Sequence, residues 1–294
     1  MNILVTGSNG QLGSEIRDLI NSFVDLNFIF KDLPDLDICN FLELEKFIDK
    51  NQIDSIINCA AYTAVDKAEE EDSVIAQKVN AEGVLNLVNV LKKGNGKLIH
   101  ISTDYVFNGE AFLPYKETDK VSPTGVYGRT KREGELAVIN SDIDGLVIRT
   151  SWLYSSYGNN FVKTMLRLGE SRGELGVIFD QVGTPTYARD LALTCLTILS
   201  KNKVDKISLK GNLYHFSNEG VASWYDFANA IMVIGNVKCK VIPIETKDYP
   251  TSAKRPYFSV LNKSKIKNDF EMEIPFWRDS LSECIIKLNS KKIK

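Results

Sequence analysis

Tyr127 and Lys131 stand four residues apart in Tyr127-Gly128-Arg129-Thr130-Lys131, a spacing that puts both on one face of a helix. A phenol ordinarily titrates near about 10, too high for ready proton exchange at neutral pH. A neighbouring ammonium lowers that value by stabilising the phenolate, and Lys131 is placed to supply it. A second reactive feature is Ser102-Thr103-Asp104-Tyr105-Val106-Phe107, which directly follows the apolar run Lys97 to Ile101. A hydroxyl at the end of such a strand can join the tyrosine in hydrogen-bonding a carbonyl as charge grows on its oxygen.

A third feature precedes both. Gly7-Ser8-Asn9-Gly10-Gln11-Leu12-Gly13 lies between an expected first strand and first helix. The first glycine permits a tight turn, the second lets backbone approach a pyrophosphate at the helix amino end, and the third lets helix and strand pack closely. The spacing is G-x-x-G-x-x-G rather than G-x-G-x-x-G, and a glycine-rich turn also occurs without any ligand. The strand-loop-helix setting favours a dinucleotide, with Gln11 and Leu12 opening the helix beside it. Asp32 follows the second apolar run at about the separation where a carboxylate binds the adenosine ribose, which favours NADH. Lys31 beside it can instead accept a 2′-phosphate, so NADPH or NADH both fit, and a solvated loop carboxylate is the plainer alternative.

These groups need a scaffold. Ile3-Leu4-Val5, Leu26 to Phe30, Ile53 to Ala60, Lys97 to Ser102 and Leu146 to Arg149 read as strands, alternating with helical stretches at Ile16 to Ile20, Phe41 to Ile48, Val79 to Leu91 and Lys131 to Ile139. Such alternation predicts an α/β fold of the Rossmann type: a doubly wound parallel sheet with helices on both faces. Residues 1–150 are expected to form the dinucleotide-binding domain. Beyond Thr150 the pattern loosens into shorter elements with turn signals, so residues 151–294 are expected to be mainly a smaller substrate-binding region, with some segments returning to the first domain.

The 294 residues include 36 basic and 38 acidic side chains, a net charge of -2. That leaves no global field for nucleic acid or an anionic membrane, and no apolar run reaches the roughly 20 residues a spanning helix needs. Five scattered cysteines without a Cys-x-x-Cys pair read as core thiols of a reducing, cytoplasmic setting. No secretion signal opens the chain. His100 and His215 lie among apolar residues and read as structural, so no metal site is expected.

The sequence resembles the extended short-chain dehydrogenase/reductases, and within them the dTDP-4-dehydrorhamnose reductase family, along nearly its whole length. The specific segments are Ala64-Val65-Asp66-Lys67-Ala68-Glu69 and Ser102-Thr103-Asp104-Tyr105-Val106-Phe107, supported by Arg149-Thr150-Ser151-Trp152, Asn159-Asn160-Phe161, Gly183-Thr184-Pro185-Thr186 and Arg255-Pro256. The resemblance implies reduction of the C4 keto group of a nucleotide-activated deoxysugar, dTDP-4-dehydro-L-rhamnose, for surface polysaccharide. It implies Tyr127 as proton donor, Lys131 as its tuner and holder of the nicotinamide ribose, and Thr103 on the reacting carbonyl. It places Asp104 and Trp152 on the sugar, Asp37 and Ile38 on the adenine side, and Ala61, Tyr62 and Thr63 on the cofactor. Departures from the usual pattern are Tyr62 for His, Arg129 for Lys and Asn108 for Asp.

Other readings stay open on these residues. Trp152 serves equally as a core anchor, and Arg255 either grips the substrate diphosphate or is a solvated loop arginine. Some relatives use Mg²⁺, for which Glu15 or Asp190 would be the candidates, with little support from spacing. A 4,6-dehydratase would carry Glu where Tyr105 stands. An epimerase, a reductase of another 4-keto sugar, or a non-catalytic dinucleotide-binding relative of the methionine adenosyltransferase regulatory subunit would share the scaffold. A homodimer is the commonest assembly of such chains.

Overall fold

The computed structural model describes residues 1–94, 96–205 and 208–292. All five expected strands enter one sheet: β1 (Asn2–Thr6), β2 (Asn27–Phe30), β3 (Ser55–Asn58), β4 (Lys97–Thr103) and β5 (Asp144–Thr150). A sixth, β6 (Asn212–His215), completes it in the order β6-β5-β4-β3-β1-β2, with every pairing parallel. The strands are continuously apolar because both faces are covered, as parallel sheets require. Ile3, Val5, Ile57, Ile99 and Leu146 point to one face, where they pack with Leu12, Ile16 and Leu19 of α1 (Gln11–Leu19). Their neighbours Leu4, Ile56, Leu98 and Val147 point to the other. There they meet α2 (Phe41–Asn51), α3 (Gly83–Leu91) and α4 (Val126–Ile139).

The chain reverses direction of build at β1, which has β2 on one side and β3 on the other. A crevice opens outside the carboxyl ends at such a switch point, and ligands of open α/β sheets bind there. Gly7 occupies it with φ +58, and a Cβ on it would stand 2.6 Å from the Ala60 backbone nitrogen. Gly13 is equally constrained, since a Cβ there would meet Ser8 Cα at 2.5 Å. The glycine loop is thus wedged between β3 and its own helix.

The second half mixes short elements with long ones. It holds the two longest helices among the described residues, α5 (Ala188–Asp205) and α6 (Trp277–Lys292). In α5 Leu191, Ala192, Cys195, Leu196, Ile198 and Leu199 are all 0% exposed. A helix apolar around so much of its circumference has a weak amphipathic period, which hides it from pattern reading. It covers the same sheet face as α1. A separate core joins Tyr154, Val162, Tyr187, Phe227, Ile231 and Trp277. His100 and His215 are fully buried, as are Cys195 and Cys284, while Cys39, Cys59 and Cys239 are half-buried and all five are free. No helix among the described residues is long and apolar enough to cross a membrane.

Candidate active site

A cleft of about 600 Å³ runs along the carboxyl ends of β1, β3, β4 and β5. It is lined by Gly7, Gly10, Gln11 and Leu12 of the glycine loop and its helix, by Ala61 and Thr63 after β3, and by Thr103, Asp104, Tyr127, Lys131 and Trp152. A depression of about 470 Å³ beside Lys97, Asp144 and Lys210 lies at the opposite, amino ends of β4 and β5 and gathers none of this chemistry.

α1 follows Gly10 at its N-cap position, with no side-chain cap and no acidic residue in its first turn. Its first N–H groups therefore face the cleft uncompensated, a ready seat for a pyrophosphate. Asp32 lies just past β2 and accepts hydrogen bonds from the Asn9 and Leu33 amides at 2.8 and 2.9 Å. Lys31 reaches Asp35 at 3.5 Å.

Thr103 ends β4, and its Oγ1 accepts from the Tyr105 amide at 3.2 Å and donates to Asp104 Oδ1 at 3.1 Å. Asp104 is 2% exposed. Burial pushes its carboxyl up to about 6, opposed in part by the Ser259 and Thr103 hydroxyls, and its Oδ2 has no hydrogen-bond partner among the described residues. Tyr127 opens α4 one turn before Lys131, with its ring edge-on to Tyr105 at 5.4 Å.

The expected tuning of the phenol takes a different form. Burial pushes Tyr127 up to about 12, and the Thr103 hydroxyl pulls the other way. Burial pushes Lys131 down to about 8 against the attraction of Glu135, and its Nζ donates to the Ile101 carbonyl at 2.6 Å. Desolvation dominates both groups.

Trp152 is both packed and open to the cleft. It lines the cleft, stacks on Trp224 with centroids 3.6 Å apart and planes within 9°, and holds φ 48. A bulky residue in the left-handed region costs about 1–3 kcal/mol and marks a site where surrounding structure dictates the backbone.

Other expected residues lie outside the cleft lining. Gly13 sits behind it in the helix packing. Tyr62 is pinned by Asn80, which accepts from its amide at 2.9 Å, while its hydroxyl donates to Asp72 at 2.6 Å. Asp37 accepts from the Cys39 amide at 2.8 Å, and Ile38 is buried in the core below α3. Arg255 is neither solvated nor free, for its guanidinium is forked onto Asp66.

The Mg²⁺ candidates do not suit a metal. Glu15 is fully buried and accepts from Ser155 Oγ and Lys287 Nζ, each at 2.6 Å. Asp190 accepts from Asn218 and Ser280, also at 2.6 Å. No group of three or more His, Cys, Asp or Glu side chains among the described residues is arranged to hold an ion.

Sequence reading missed Glu135 and Arg149. The Glu135 carboxylate is 0% exposed and accepts from Arg149 Nε at 2.7 Å, Arg149 Nη2 at 2.8 Å and Arg132 Nη1 at 2.7 Å. Its position, four after Lys131 and eight after Tyr127, was the available signal, since it repeats the same helical face.

A parallel sheet whose switch-point cleft joins a glycine loop and an uncapped helix to a phenol and a strand-end hydroxyl is the architecture of a nicotinamide-dependent oxidoreductase of the extended short-chain type. The family model described as RmlD substrate binding domain matches residues 1–290. A dTDP-4-dehydrorhamnose reductase of Aggregatibacter actinomycetemcomitans is 42% identical over 286 residues, covering 95% of this chain and 96% of the relative. The crystal structure of a dTDP-4-dehydrorhamnose reductase from Clostridium acetobutylicum superposes with a TM-score of 0.91 at 42% identity, covering 98% of this chain and 100% of the other. That of the Bacillus anthracis dTDP-4-dehydrorhamnose reductase in complex with NADP gives 0.90 at 37% identity, covering 97% and 99%. The chain belongs to the dTDP-4-dehydrorhamnose reductase family.

Proposed function

We propose that this chain reduces the C4 keto group of dTDP-4-dehydro-L-rhamnose to the alcohol of dTDP-L-rhamnose, a step of nucleotide-sugar supply for surface polysaccharide. The observation that carries the reading is the meeting of Thr103, Tyr127 and Lys131 in the cleft that begins at the uncapped helix of the glycine loop. Residues 1–150 hold the cofactor in this reading, and residues 151–294 mainly cover the sugar nucleotide.

The bound nicotinamide, NADPH or NADH, supplies a hydride to C4. Thr103 hydrogen-bonds the C4 oxygen as charge builds on it. Tyr127 breaks its O–H bond and hands the proton to that oxygen, forming the new hydroxyl. A phenol pushed up to about 12 is protonated at neutral pH, as a donor must be, and it still gives way to the more basic alkoxide. Lys131, on the same helical face, steadies the phenolate left behind until solvent reprotonates it. Asp104 lies beside the sugar, Trp152 packs against the ring, and Arg255 turns toward the diphosphate.

The test follows absorbance of NADPH, and separately NADH, with dTDP-4-dehydro-L-rhamnose generated in place. Wild type should oxidise the cofactor, Tyr127→Phe should be slower by about 10²–10⁴-fold, and Thr103→Val by about 10²-fold. Cofactor that binds and is never consumed would overturn the reading.

A further inference from the structure

Glu15 sits one turn into the helix whose amino end forms the cofactor seat, and it is 0% exposed. A buried carboxylate is costly without a compensating charge. The charge comes from the far end of the chain: Lys287 of α6 places Nζ 2.6 Å from Glu15 Oε2 and 2.7 Å from Asp18 Oδ2. Tyr157 donates to the same Asp18 at 2.8 Å, Ser155 caps the other oxygen of Glu15, and Lys291 reaches Ser156 Oγ at 3.3 Å. Arg189 of α5 approaches Glu15 at 3.8 Å.

We propose that Lys287 is the resident cation of the Glu15–Asp18 carboxylate pair, clamping the last helix onto the cofactor helix, and that this chain therefore takes no divalent ion there. Geometry and charge agree. An ammonium has three N–H donors and no need of a full coordination shell, whereas Mg²⁺ demands near-octahedral oxygen ligands at about 2.0–2.1 Å. Here both Glu15 oxygens are already engaged, and Asp190 Oδ2 accepts from both Asn218 and Ser280. Lys287 lies against both carboxylates and Arg189 approaches Glu15, so a dication would have to displace cations already in place. Burial alone would raise the Asp18 carboxyl, yet hydrogen bonds from Lys287 and Tyr157 outweigh it and hold it below its ordinary value. The clamp also spans the fold, because the loop carrying Ser155 and Tyr157 leads to Asn160, whose side chain donates to Gln11 at 3.0 Å in the cofactor seat.

The test is thermal melting of the full chain in EDTA and in millimolar MgCl₂, beside calorimetric titration with MgCl₂ alone. Wild type should melt at one temperature in both and show no binding heat. Lys287→Met should melt about 5–8 °C lower, since it strips a buried anion of its partner, and Lys287→Arg should recover most of the loss. Magnesium-dependent melting of wild type, or a Lys287→Met protein that melts with wild type, overturns the proposal. If Lys287→Met does not fold, wild-type titration and Lys287→Arg still decide it. Neither readout depends on turnover, so failure here leaves the reductase reading untouched.

Discussion

Arg255 closes its guanidinium on Asp66, with Nη2 2.7 Å from Oδ2 and Nη1 3.1 Å from Oδ1. The pair ties the segment before Pro256 to the short helix Val65–Glu69, whose first residue lines the cleft. If Arg255 serves the diphosphate, it must exchange a carboxylate for phosphate oxygens. A forked pair that is partly exposed contributes on the order of 1 kcal/mol. Asp66→Asn should therefore lower the KM for the sugar nucleotide by up to about fivefold. Arg255→Gln should raise it by about tenfold or more with the cofactor Kd unchanged. Steady-state kinetics at saturating cofactor measures both, and an unchanged KM in Arg255→Gln would remove the arginine from the substrate site.

Asp104 makes stability depend on pH. Its folded value, about 6, lies above its ordinary 3.8, so its contribution is fully present below about pH 4 and is lost as pH rises through about 6. Two units correspond to about 3 kcal/mol. Asp104→Asn has no such charge to bury. It should melt several degrees above wild type near pH 7.5 and converge with it near about pH 4. A gap that stays constant across that range would show that Asp104 does not carry the dependence.

Asp32 should discriminate between cofactors. A carboxylate at the ribose end repels a 2′-phosphate by about 1–4 kcal/mol at contact. Asp32→Ser should accordingly raise kcat/KM for NADPH relative to NADH by about tenfold or more. Because Asp32 also accepts the Asn9 amide, some loss with NADH is expected as well. An unaltered ratio between the two cofactors would place the adenosine ribose elsewhere.

Much of this was legible because the decisive residues are close in sequence. Gly7 to Gly13, Ser102 to Asp104 and Tyr127 to Lys131 each lie within one short segment, and the five apolar strands announce themselves by burial on both faces. What escaped depends on partners far apart in the chain. The stack of Trp152 on Trp224, the fork of Arg255 on Asp66 and the hold of Lys287 on Glu15 have no local pattern to read. β6 escaped for another reason. Asn212-Leu213-Tyr214-His215 pairs with β5 alone as an edge strand, so it is short and polar in part, without the continuous apolar run that marked the other five. The raised phenol of Tyr127 follows from desolvation, which spacing to Lys131 does not reveal.

That sixth strand constrains how the chain is made. β5 leaves the ribosome well before Asn212–His215, so during synthesis its outer edge stands open with a row of unpaired amides and carbonyls. An open edge beside an apolar face invites pairing with another nascent chain. The sheet is completed by the second half. Cutting after Thr150 would discard both β6 and the α5 helix that covers the sheet, and the order of synthesis leaves a temporary vulnerability that only the second half can close.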